Sequence, residues 1–145
     1  MEGKITFSIL TEHHEGSIGD DWKYWVEAKV FNQGLKGQGT IEVKKHSFPE
    51  NVTQEPPGPP AAIEISAGDS ANKVQVCLTF EATEVDLFKN DVGIVHFDDY
   101  LDFPGPGEEP TTHDKMVSVG VVESPGLTGE TSVFTVKVRL VLSLV

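Results

Sequence analysis

The sequence predicts an all-β fold, and three observations carry that prediction. Val (18 residues) and Ile (7) outnumber Leu (9) and Ala (6), with 11 Thr besides. Side chains branched at Cβ suit a pleated sheet and lose freedom in a helix, so strand formers dominate. Apolar residues also recur at alternate positions in run after run, the period of a strand with one buried face. Many of the 14 Gly and 9 Pro stand between those runs, where turns need them. A chain of 145 residues suits a single domain over 1–145, and about eight such runs give an antiparallel β-sandwich.

The runs follow in order. Lys4 to Glu12 sets Ile5, Phe7 and Ile9 on one face and Thr6, Ser8 and Leu10 on the other; His13 to Asp21 is polar, with Gly16 and Gly19, and reads as a loop. In Trp22 to Phe31, the clearest amphipathic strand of the first half, Trp22, Tyr24, Val26, Ala28 and Val30 alternate with Lys23, Trp25, Glu27, Lys29 and Phe31. Asn32 to Gly39 reads as a hairpin connection to an antiparallel strand, Thr40 to His46, with Ile41 and Val43 inward. Ser47 to Pro60 holds Pro49, Pro56, Pro57, Pro59 and Pro60, and without their N–H groups it forms a stiff, extended crossover. Ala61 to Ser66 is a short strand, and Gly68-Asp69-Ser70 a turn before the strand Lys73 to Glu81. Ala82 to Asn90 fits a helical turn through Val85 and Phe88 or a strand through Val85 and Leu87, and stays unassigned. Val92 to Phe97 is a strand, Asp98 to Asp114 a long acidic loop, and Lys115 to Glu123 another strand. A turn from Ser124-Pro125-Gly126 to Glu130 precedes the longest run, Thr131 to Val145, with Phe134, Val136, Val138, Leu140, Leu142 and Leu144 on one face.

The topology, whether C2-like, immunoglobulin-like or jelly-roll, stays open. The missing Cys–Trp–Cys framework argues against an antibody-type domain. The lone Cys77, between Val76 and Leu78, makes no internal disulfide and reads as an inert buried thiol in a reducing compartment. Met1 to Leu10 lacks a long apolar stretch, and no run approaches the ~18 apolar residues of a membrane helix, so a soluble, cytoplasmic protein is expected. Asp plus Glu total 23 against 11 Lys plus Arg, a net charge of −12, the wrong field for binding nucleic acid.

That charge is unevenly placed. Most lysines and Arg139 lie in or beside strands, whereas Asp98 to Asp114 holds Asp98, Asp99, Asp102, Glu108, Glu109 and Asp114 with no Lys or Arg among them. Crowded carboxylates repel, and a hard divalent ion relieves them by taking six to eight oxygens. These six residues are therefore the candidate metal ligands, with calcium the candidate ion. Acidic loops at one end of an eight-stranded sandwich are similar in architecture to those of calcium-dependent C2 domains and some adhesion or carbohydrate-binding modules. A simpler alternative is a solvated acidic loop that maintains solubility. Strict alternation of strand direction puts the His13–Asp21 and Asp98–Asp114 loops at opposite ends, so that Asp20 and Asp21 face Glu84, Asp86 and Asp91 instead.

Other constellations are weaker. Trp25, opposite Trp22 and Tyr24 on its strand, is the aromatic expected to be partly exposed and the candidate ligand-binding residue for a protein or carbohydrate partner. The adjacent His13 and His14 point to opposite faces of a strand and cannot both ligate one zinc ion there. Neither H-x-H nor H-E-x-x-H occurs, nor a nucleophile elbow, P-loop or dinucleotide fingerprint. The expected function is thus an acidic binding or interaction module, calcium-dependent through its acidic loop. The competing readings are a structural or oligomer-forming protein without a metal site and, further off, a metal-assisted hydrolase using His13 or His14 with Asp20.

Overall fold

A computed structural model describes residues 1–58, 62–87, 89–123 and 130–145. Its strands are β1 (Glu2–Gly16), β2 (Asp21–Phe31), β3 (Leu35–Ser47), β4 (Ile63–Asp69), β5 (Lys73–Glu84), β6 (Asp91–Asp102), β7 (Thr111–Val122) and β8 (Thr131–Leu144), with no helix among the described residues. They form two four-stranded antiparallel sheets, β4-β1-β8-β7 and β3-β2-β5-β6. The sheets pack face to face: Trp22 and Tyr24 of β2 each lie 4.9 Å, ring centroid to ring centroid, from Phe134 of β8. All eight strands contribute buried apolar residues.

The all-β expectation holds, and the registers explain where it was too short. β1 runs on through His13 and His14 because a bulge between Ile9 and Thr11 inserts one residue opposite β8. The inserted residue switches the alternation. Ile5, Phe7 and Ile9 face the core before it, and Glu12 and His14 face the core after it. The expected connection Asn32 to Gly39 shrinks to Asn32–Gly34, because Gly37 and Gly39 are strand residues. A Cβ at Gly37 would stand 2.7 Å from Ile65 Cγ2, and one at Gly39 2.6 Å from Ile63 Cδ1, so these glycines let β4 close against β3 rather than make a turn. Gly93 serves the opposite margin: a Cβ there would meet the Gly120 carbonyl oxygen at 2.4 Å, where β6 lies against β7.

The expected Asp98–Asp114 loop is also corrected. β6 extends to Asp102 and β7 begins at Thr111, leaving only 103–110 as connection. Polar residues at 96, 98, 100 and 102 occupy the outward positions, and Asp99 takes an inward one, so apolar alternation is invisible in that stretch. Ala82–Glu84 completes β5, and 85–90 connects to β6; Phe88 lies outside the described residues. So do Pro59, Pro60 and Ala61 of the expected crossover and following strand, and 124–129 of the expected β7–β8 turn. Strand directions set two ends. The β1–β2 and β5–β6 connections share one end, while the β2–β3, β4–β5 and β6–β7 connections share the other.

Candidate functional site

The six carboxylates expected to bind calcium do not come together. Asp98 and Asp99 follow one another along β6 and so point to opposite faces. Asp98 is exposed and accepts from Gln75 Nε2 at 3.3 Å. Asp99 is buried; its Oδ2 lies 2.9 Å from His113 Nδ1 and its Oδ1 3.6 Å from Lys115 Nζ. Asp102 is exposed at the end of β6, and Glu109 is exposed in the connection. Glu108 folds back on its own loop, accepting from the Gly105 N–H at 2.9 Å. Asp114 takes both Arg139 Nε and Nη2, at 2.8 and 3.0 Å, and that guanidinium holds its carboxyl below the usual range. Cations from beyond this stretch of sequence thus reach two of the six carboxylates, Lys115 at Asp99 and Arg139 at Asp114. Among the described residues, no three His, Cys, Asp or Glu side chains are grouped so as to hold a metal ion.

Trp25 is half-buried on the outer face of the second sheet, with Glu42 of β3 and Glu81 of β5 as its register partners. It borders a depression of about 140 Å³ shared with Lys23 and Thr83. His13 faces outward, 3.0 Å from Thr53 Oγ1 and 3.1 Å from Glu15 Oε1. His14 faces the core, fully buried, and its Nε2 donates to the Phe48 carbonyl at 2.8 Å. The two rings lie on opposite sides of the sheet, as the alternation of a strand requires.

Sequence reasoning missed the polar group that the β1 bulge turns inward. Glu12 is fully buried and receives Tyr24 Oη at 2.7 Å, Gln54 Nε2 at 2.8 Å and His46 Nε2 at 2.5 Å. Burial, and then the Glu12 charge beside it, push the Tyr24 hydroxyl far above the ordinary phenol range. Glu12 also pairs through its backbone with Gln54, fastening the 48–58 segment across this end. The only signal in the sequence is the strand length that a loop assignment at His13 cut off.

His46 and the fastened segment form one side of a groove of about 550 Å³ beside β3. Ile41, Val43 and Ile63 line it with Pro56 and Pro57, and Glu42, Lys44 and Lys45 supply its charge. β3 is an edge strand, with β2 on one side and no strand hydrogen-bonded to the other among the described residues. Lys44 and Lys45 make no ion pair among the described residues. At the same end of the fold, Glu84 and Asp91 are register partners across β5 and β6, both buried. Of the two acids expected to face Glu84, Asp86 and Asp91 there, Asp21 acts on Glu84, whereas Asp20 lies 3.8 Å from His14 Nε2.

The chain matches no protein-family model and no curated protein in sequence comparison. No helix among the described residues is long and apolar enough to cross a membrane.

Proposed function

We propose that this chain is a non-catalytic binding module that receives an extended, acidic segment of a partner protein along β3. The observation that carries this reading is the Thr40–His46 edge of β3, to which no strand is bonded among the described residues, beside a groove lined by apolar side chains and by Lys44 and Lys45, which make no ion pair among those residues. An edge strand presents a row of free N–H and C=O groups, and an added strand satisfies them while its alternate side chains enter the groove. Lys44 and Lys45 stand against the single carboxylate of Glu42 in a chain of net charge −12, so the local field favours an acidic occupant. Lysine on an edge also discourages self-pairing, which suits a partner of opposite charge rather than a second copy.

The probe is a synthetic peptide of about six residues alternating Val and Glu, followed by backbone amide shifts on the labelled protein. Shifts confined to Thr40–His46 and the 56–58 segment, weakened by salt and lost in the Lys44→Glu/Lys45→Glu variant, support the reading. Binding that ignores the charge reversal, or no binding at low salt, overturns it. A second reading, self-assembly, draws on Val92 and Ile94, exposed on the outer face of the edge strand β6. It requires a mass that rises with concentration and falls in Ile94→Lys.

A further inference from the structure

The buried carboxylate of Glu84 is the group that neither the core nor the groove uses. It closes β5 at the inward position, opposite Trp22 on β2 and Asp91 on β6, and is 4% exposed. Its Oε2 has no hydrogen-bond partner among the described residues. The β1–β2 loop covers its other oxygen so closely that a Cβ on Gly19 would come within 2.2 Å of Oε1. The same loop is anchored beside it: Trp22 Nε1 donates to the Gly19 carbonyl at 3.0 Å, and the Val85 N–H donates to the Asp21 carbonyl at 2.8 Å.

Among the described residues, the charges that act on Glu84 are those of other carboxylates. Asp86 approaches from the β5–β6 connection, Asp91 from β6, Asp21 from β2 and Glu123 from the end of β7. A buried like-charged neighbour directly across a strand pair disfavours ionising both. No three of these side chains are grouped to hold a metal ion, and a proton on Glu84 removes that carboxylate's own share of the repulsion.

We propose that Glu84 is a proton-operated latch: protonated, it keeps the Gly19 loop seated on this end of the fold, and ionised, it releases that loop. Burial, then Asp86, Asp91, Asp21 and Glu123, raise its pKa to about 7, which places the change near neutral pH. The folded chain therefore binds this proton more tightly than the unfolded chain. The stabilisation is complete below the ordinary glutamate pKa and is lost as pH rises through about 7.

The test uses the whole chain labelled with ¹³C at glutamate carboxyls, with Glu84→Gln assigning the resonance. A Glu84 midpoint near 7 is expected; a midpoint at the ordinary glutamate value of about 4.3 overturns the proposal without needing any variant to fold. Between about pH 5.5 and pH 8 the wild-type melting temperature should fall by about 5 °C more than that of Glu84→Gln. Over the same range, the protection factors of Trp22 Nε1–H and the Val85 amide should drop in wild type and hold steady in the variant. Equal protection in both, or a calcium-induced rise in wild-type melting temperature that Glu84→Gln abolishes, would replace the latch with a merely structural carboxyl or a metal site.

Discussion

Glu12 of β1 and His46 of β3 meet across the interior, carboxylate Oε2 to imidazole Nε2 at 2.5 Å, with Glu12 wholly buried. The Lys44 carbonyl, 2.8 Å from Nδ1, can only accept, so that nitrogen carries a hydrogen. His46→Ala leaves an uncompensated carboxylate in the core and should cost about 3–5 kcal/mol. Tyr24→Phe removes one donor from the same carboxylate and should cost about 2 kcal/mol. Urea denaturation of both variants measures this, and a His46→Ala loss below about 1 kcal/mol would mean that water reaches Glu12.

The β1 bulge makes a deletion prediction with opposite outcomes for one residue and two. Removing Leu10 takes out the inserted residue, leaving Thr11 opposite Lys137 and Glu12 and His14 inward. That chain should fold with the aromatic near-ultraviolet dichroism of wild type. Removing Leu10 and Thr11 together turns Glu12 and His14 outward and His13 and Glu15 inward, a one-residue change of phase that moves a whole segment to the wrong face. It should abolish the cooperative transition.

Gly93 and Gly120 should respond differently to a side chain. At Gly93 a Cβ would collide with the Gly120 carbonyl oxygen, backbone that cannot rotate away, whereas nothing lies within 4 Å of a Cβ on Gly120. Gly93→Val should lose about 3 kcal/mol or more, and Gly120→Ala should change stability by no more than about 0.5 kcal/mol. Matched thermal melts decide it, and equal effects would show that β6 and β7 can separate at Gly93 without loss.

Cys77 faces outward from β5 and is half-buried, not enclosed in the core as its apolar neighbours suggested. Partial burial, and then Asp98 beside it, push its thiol up to about 11 from 9.0. Two pKa units mean about a hundredfold less thiolate at neutral pH, so iodoacetamide should modify Cys77 far more slowly than a free thiol. Asp98→Asn should accelerate the reaction several-fold, with intact-mass measurement as the readout. Unchanged kinetics would assign the slowness to access alone.

The alternation of Trp22 to Phe31, Lys73 to Glu81 and Thr131 to Val145 was legible because each strand has one apolar and one polar face. β6 was legible only to Phe97, since Asp99 occupies a core-facing position that its own sequence neighbours cannot justify. Its justification lies on β7, in His113 and Lys115. The same holds for Glu12, whose inward turn depends on a bulge and whose partners sit on β2, on β3 and in the 48–58 segment.

Composition and period alone determine an all-β chain of about eight strands and an acidic surface, because burial on one face of a strand leaves a mark every second residue. Which carboxylates are relieved and which remain crowded was decided by strand pairing. In a run of acid in one dimension, Asp98 to Asp114, two carboxylates, Asp99 and Asp114, are met by cations that the fold brings beside them. Acids scattered from Asp21 to Glu123 are gathered around Glu84 at one end. Electrostatic energy depends on distance through space, and sequence separation measures that distance only within a strand.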